Sequence, residues 1–119
     1  EFGYNNSGLT YSIKCTFNKS LSWGRVKNDY ILNHEQGHFD IAEIHARILH
    51  KELKKYRFNS ATVGKDINNL YNAVMKQHVA TQQQYDLQTQ HSLDSEKQLE
   101  WDKKIGALLK EFEDYADYR

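Results

Sequence analysis

Helical spacing of the apolar residues over most of the chain, with no proline to interrupt it, is the feature that most constrains the fold. Apolar residues recur every three or four positions, which places them along one face of a helix. Because proline breaks helix interiors, its absence favours long uninterrupted helices. The pattern weakens at 56–59 and again at 91–94, and it therefore predicts three helices, at about 29–55, 63–89 and 95–115.

A strictly alternating segment precedes the helices. Over residues 8–18, apolar and polar residues alternate, which predicts a strand with one face on a core. Leu21 to Val26 indicates a short second strand or an irregular lead-in. A lone strand is not stable by itself, so either further strands lie upstream of Glu1 in the full protein or another chain supplies the pairing. We expect the first. We interpret 1–119 as a single α+β domain that lacks those upstream strands.

The charge balance and the hydropathy exclude several classes of function. Lys+Arg and Asp+Glu each number 16, so the formal net charge is zero and the chain lacks the basic surface of a nucleic-acid binder. No apolar run approaches the roughly 20 residues that span a bilayer. The sole cysteine, Cys15, cannot form an intrachain disulfide. These properties predict one globular domain with neither a nucleic-acid partner nor a membrane span.

The segment His34-Glu35-Gln36-Gly37-His38 carries the strongest chemical signal. Residues four apart share one face of a helix, so His34 and His38 can bind one ion at about 2.0–2.1 Å from each nitrogen. Glu35 projects about 100° around the helix from His34, which places its carboxylate beside the ion. There it can take a proton from metal-bound water, whose pKa zinc lowers to about 7. The motif predicts zinc ligation by both histidines, with Glu35 as general base.

A catalytic zinc site needs a third protein ligand and an open position for water. His45 lies seven residues past His38, too far along a straight helix to reach the same ion. We therefore expect the third ligand on the second helix or at its exit. His91 is the preferred candidate, because it stands where the helical pattern breaks and can turn back towards the first helix. The alternatives that stay open are His78, Asp86, Asp94 and Glu96.

Three further residues have more than one interpretation. Tyr85 can donate a hydrogen bond to a developing oxyanion, and we predict a catalytic role for it, although a packed aromatic residue has the same sequence signature. Asp86 can accept a hydrogen bond from a ligand imidazole instead of binding the ion itself. Gly37 is a poor helix former, which indicates backbone crowding or the close approach of another segment.

The stretch His-Glu-Gln-Gly-His-Phe-Asp-Ile-Ala-Glu at 34–43 resembles an uncharacterised bacterial family described as predicted secreted zinc-dependent proteases. That family also has a downstream pattern Tyr-Asp-x-x-Thr-x-His, followed by a Gln and a Trp. The pattern stands here as Tyr85, Asp86, Thr89, His91, Gln98 and Trp101. The family usually has glycine after the downstream histidine, whereas this chain has Ser92. The resemblance implies a zincin-like fold, a secreted or periplasmic location and peptide hydrolysis.

Motif and resemblance together predict a zinc-dependent peptidase that hydrolyses peptide bonds in a peptide or protein substrate. Zn²⁺ is the expected cofactor, held by His34, His38 and His91. The alternative is a non-catalytic metal-binding or protein-interaction module on a degenerate peptidase fold. Metal retention without turnover would distinguish this alternative from the enzyme.

Overall fold

The structure, a computed structural model, describes residues 2–5, 8–13 and 29–118. These ranges contain two strands, three α-helices and a 3₁₀ turn. In chain order they are β1 Phe2–Asn5, β2 Gly8–Tyr11, α1 Asp29–Lys55, α2 Val63–Gln88, α3 Ser95–Glu111 and the 3₁₀ turn Glu113–Tyr115. In the described ranges, no helix has both the length and the apolar character that a bilayer crossing requires.

The three predicted helices are confirmed, with small differences at their ends. α1 begins at Asp29, and α2 ends at Gln88, one residue before the predicted end. α3 begins after Asp94, whose carboxylate accepts a hydrogen bond from the backbone N–H of Lys97 at 3.0 Å and so caps the helix. α3 ends at Glu111, earlier than predicted, because the backbone then tightens into the 3₁₀ turn.

Within the described residues, the predicted strand at 8–18 is confirmed at 8–11 and wrong at 12–13. β2 ends at Tyr11, which pairs with Phe2, the first residue of β1, in an antiparallel ladder. Ser12 and Ile13 are not in the strand, and the remainder of the predicted segment lies outside the described residues, as does Leu21 to Val26. The sequence analysis did not predict β1, the strand that pairs with β2. The expectation of further strands upstream of Glu1 stays a prediction.

α1 is the central helix and packs against both α2 and α3. Two hydrophobic clusters surround it. One joins the hairpin region and the chain end to the C-terminal half of α1 and the start of α2; its buried members are Ile13, Ala46, Leu53, Val63, Ile67 and Tyr118. The other fixes the end of α2 and the middle of α3 beside α1; its buried members are Ile41, Ile44, Tyr85, Trp101 and Ile105. The α1 members of this second cluster, Ile41 and Ile44, come shortly after the histidine motif in the chain.

A buried polar contact ties the end of the chain to α1. Glu43 accepts hydrogen bonds from Arg47 Nε at 2.8 Å and from the Tyr118 hydroxyl at 2.5 Å. Arg47 also donates to the backbone oxygen of Leu109 at 2.7 Å. A buried carboxylate is tolerated when it is paired and hydrogen-bonded in this way. These contacts hold α3, through Leu109, and Tyr118 against α1.

Candidate metal centre

Three side chains from two helices converge at one point. His34 and His38 on α1 and Asp86 on α2 bring potential ligand atoms within 4.8 Å of one another. The same Asp86 oxygen, Oδ1, lies 3.0 Å from His34 Nε2 and 2.7 Å from His38 Nε2. His34 is buried while the other two are partly exposed, so solvent reaches the group from one side. Two imidazoles and one carboxylate form a donor set that suits zinc, and this group could hold a metal ion.

The convergence depends on a close approach between Tyr85 and Gly37. A Cβ atom added at Gly37 would lie 2.1 Å from the Tyr85 hydroxyl oxygen, so a larger residue would displace the tyrosine. The Tyr85 ring stacks on His34, with centroids 4.6 Å apart, and meets His38 edge-on at 4.8 Å. Its hydroxyl donates to the backbone oxygen of His34 at 2.9 Å. The close approach that Gly37 indicated in the sequence is confirmed.

The contacts of Tyr85 are those of a packed aromatic residue. Its side chain is completely buried. Burial raises the pKa of Tyr85 to about 12, and the negative charges of Asp102, Asp86 and Glu35 act in the same direction. The hydroxyl therefore keeps its proton at neutral pH, and it donates that proton to the His34 carbonyl instead of to a bound substrate. These contacts agree with the packing interpretation, and the catalytic role of Tyr85 stays a prediction.

In both convergent histidines, the ring nitrogen that faces away from Asp86 contacts a glutamine. His34 Nδ1 lies 2.7 Å from Gln98 Oε1, and His38 Nδ1 lies 2.5 Å from Gln82 Oε1. The sequence analysis gave no role to either glutamine. Gln82 stands one helical turn before Asp86 on the same face of α2, and that spacing was the signal that could have revealed it.

Glu35 follows His34 directly on α1 and is half-buried. Its negative charge is one of the causes that raise the pKa of Tyr85. With the other described residues, the Glu35 carboxylate forms neither a hydrogen bond nor an ion pair. The Glu35 carboxylate is thus not committed to another described group.

His91 lies at the rim of the site and not in the convergent group. Gln90, His91 and Ser92 have φ angles of 50°, 53° and 82°, a left-handed conformation that costs about 1–2 kcal/mol per non-glycine residue. The backbone N–H of His91 donates to the backbone oxygen of Asp86 at 2.8 Å. The imidazole is 79% exposed, with Nδ1 3.8 Å from Asp86 Oδ1. Ser92 occupies a backbone conformation that glycine adopts most easily.

Of the alternatives that the sequence left open, Asp86 is the one that the described structure brings to the histidines. His78 stacks on His45, with centroids 5.1 Å apart, and its Nε2 contacts Gln82 at 2.9 Å. Asp94 caps α3, and Glu96 is exposed in the first turn of that helix. Ligation by His91 stays a prediction.

Fold and site together define a mostly helical bacterial protein with a possible metal-binding group. The chain belongs to a family described as bacterial protein of unknown function (DUF922), whose model matches residues 13–92, that is 80 of the 119 residues. That range includes all three convergent residues. No curated protein and no solved structure matches the chain. The family is therefore established, while the zincin-like fold and the peptidase activity stay predictions.

The contact at Gly37 predicts a stability difference between two glycine substitutions. Gly37→Ala forces Tyr85 to move, and we expect it to lower the free energy of unfolding by roughly 1–3 kcal/mol. Gly106→Ala is the matched control, because a Cβ added at that helical position meets no atom within 4 Å. It should raise the free energy of unfolding by about 0.5–1 kcal/mol. Urea denaturation measures both values, and an unchanged stability in Gly37→Ala would contradict the packing described.

The position of Asp86 predicts which residue is the third ligand. Asp86→Ala should reduce zinc retention after dialysis far below one equivalent, because it removes the oxygen at the convergent point. His91→Ala should keep about one equivalent, since its imidazole lies at the exposed rim. Elemental analysis of the purified variants measures both. Loss of zinc in His91→Ala with retention in Asp86→Ala would instead assign the third ligand to His91.

Proposed function

We propose that this protein is a zinc-dependent peptidase. The observation that carries the proposal is the convergence of His34, His38 and Asp86, with Glu35 directly after the first histidine. A catalytic zinc site has three protein ligands and keeps one position open, and this group has three candidate ligands and is accessible from one side. The partial exposure of His38 and Asp86 gives an ion and a substrate a path to that position.

We assign Asp86 and not His91 as the third ligand in this proposal. The Asp86 oxygen already lies within 3.0 Å of both imidazoles, whereas His91 is near Asp86 only. A fourth protein ligand would close the site, so a rim position for His91 leaves room for substrate. The strained backbone at Gln90, His91 and Ser92 is of the kind that collects at functional sites, which supports a role for this turn beside the opening.

The reaction proposed is the addition of water across a peptide bond, which yields a carboxylate and an amine. Zinc, when bound, supplies positive charge that polarises the scissile carbonyl and acidifies water. Glu35 accepts the proton from the attacking water and then delivers it to the departing amine nitrogen, so protons balance. Its carboxylate has no competing hydrogen bond with the described residues, which suits a group that must receive and release a proton. His34 and His38 are fixed by Tyr85 and the glutamines and do not exchange protons.

The motif segments resemble a family of predicted secreted zinc-dependent proteases. This resemblance supports peptides as the substrate and an exported location, and we include both in the proposal. A non-catalytic module would keep the ligand group without needing Glu35. Metal content and turnover must therefore be measured together to distinguish the peptidase from the non-catalytic module.

The test compares Glu35→Gln with Glu52→Gln in the full chain loaded with zinc. Both residues lie on α1, and Glu52 lies about 25 Å along the helix from Glu35, remote from the candidate ligands. We expect Glu35→Gln to keep its zinc and to lower hydrolysis of a fluorescently labelled unfolded protein by roughly 10²–10⁴-fold, because it removes the general base. Glu52→Gln should cleave as the wild type does.

Two outcomes would contradict the peptidase. Wild-type protein that contains one equivalent of zinc but cleaves no unfolded substrate would favour the metal-binding module. Equal cleavage rates for wild type and Glu35→Gln would show that another residue, or a contaminating enzyme, performs the hydrolysis.

A further inference from the structure

Around Gln98, the direction of each hydrogen bond follows from which groups can only donate and which can only accept. The backbone oxygen of His34 can only accept, so the Tyr85 hydroxyl gives it its one proton. The hydroxyl oxygen must then accept from Gln98 at 2.7 Å, which requires the NH₂ end of the amide at that point. The same NH₂ donates to Asp102 Oδ1 at 3.0 Å, a carboxylate that accepts two further contacts from Asn33. The Gln98 oxygen therefore faces His34 Nδ1, which must carry the ring proton.

The same argument determines the direction of each hydrogen bond around Gln82. Its Nε2 donates to the backbone oxygen of His38 at 2.9 Å, and that oxygen can only accept. The carboxamide oxygen must then face His38 Nδ1, at 2.5 Å, and this nitrogen must be the donor. The second N–H of Gln82 points to His78 Nε2 at 2.9 Å. Burial lowers the pKa of His78, and the neighbouring His45 lowers it further, so His78 is neutral and can accept.

We propose that Gln82 and Gln98 are positioning residues that set the tautomer of the two histidine ligands. The backbone oxygen of His38 orients the Gln82 amide. The Tyr85 hydroxyl oxygen and Asp102 Oδ1 orient the Gln98 amide. Each amide then holds the proton of its histidine on Nδ1. In the neutral rings, the lone pairs of both Nε2 atoms consequently face Asp86 Oδ1. Three acceptors that converge without a donor are stabilised by a cation. This inference rests on the proposed metal site.

The chemistry also explains why glutamine and not glutamate stands at both positions. A metal-binding histidine commonly donates its second N–H to a carboxylate or a carbonyl. Here the partner must accept at one end and donate at the other, because its second end faces the His38 carbonyl or the Tyr85 hydroxyl oxygen. A glutamate would accept from the imidazole but would place a second acceptor against those oxygens. Only a carboxamide satisfies both ends.

The direct test is the protonation state of each ring nitrogen in the ¹⁵N-labelled full chain. Long-range ¹H–¹⁵N correlation spectra at mildly alkaline pH, where free imidazole is neutral, distinguish a protonated from an unprotonated nitrogen. After chelator treatment we expect Nδ1 of both His34 and His38 to carry a proton. With one equivalent of zinc we expect Nδ1 to stay protonated while Nε2 takes the shift of a metal-bound nitrogen. An unprotonated Nδ1 in either ring, or zinc on Nδ1, would overturn the proposal.

Zinc affinity in three methionine variants gives a second readout. Gln82→Met and Gln98→Met should each weaken zinc binding by roughly 10–100-fold in a competition titration with a chromophoric chelator. Gln88→Met is the matched control. Gln88 also lies on α2 and also accepts a hydrogen bond, from Trp101 Nε1 at 2.9 Å, but it does not contact a ligand in the described structure. Its zinc affinity should equal that of the wild type.

The outcomes distinguish the positioning role of the two glutamines from the proposed zinc-dependent peptidase on which it rests. Wild-type protein that binds no zinc would contradict the proposed function, while the Nδ1 protonation of the chelator-treated protein would still decide the role of the glutamines. Unchanged zinc affinity in both Gln82→Met and Gln98→Met would overturn the positioning role even if the protein is a peptidase. If Gln98→Met fails to fold, Gln82→Met and the wild-type spectra decide, since Gln82 is less buried than Gln98.

Discussion

The contact between the Gly37 backbone and the Tyr85 ring is the interaction on which the rest of the site depends. It lets α2 approach α1 so closely that the tyrosine hydroxyl reaches the His34 carbonyl. Asp86 follows Tyr85 in the chain, so the same approach carries its carboxylate to both imidazoles. Tyr85 also belongs to a hydrophobic cluster with Trp101 and Ile105. Apolar packing thereby fixes the position of a carboxylate.

The buried polar groups around this contact have hydrogen-bond partners. Burying a polar group without a hydrogen bond costs roughly 1–3 kcal/mol in proteins, so partners are expected for each. Among the residues that the structure describes, every buried side-chain nitrogen and oxygen has a hydrogen-bond partner. The glutamines, the tyrosine and the backbone oxygens form two sets of hydrogen bonds, one at each imidazole ring. Hydrogen bonds of this kind favour one ring orientation, which is what a metal site requires of its ligands.

The sequence predicted what local spacing determines and did not predict what tertiary contacts determine. Helical periodicity located α1, α2 and the start of α3, and the four-residue spacing of His34 and His38 placed both rings on one face. The choice between Asp86 and His91 depends on how the α2 exit turns, and three left-handed residues there direct His91 to solvent. Spacing along one chain does not reveal such a turn. The role of Gln98 likewise comes from a helix distant in sequence.

X-ray absorption at the zinc edge, on the full chain loaded with one equivalent of zinc, tests the central claim most directly. The account predicts two imidazole nitrogens and one carboxylate oxygen at about 2.0–2.2 Å, with a further light atom from solvent. The Asp86→Ala variant should lose this spectrum. A zinc ion surrounded by water alone, or one without imidazole scattering, would show that His34 and His38 do not share an ion, and it would contradict the account.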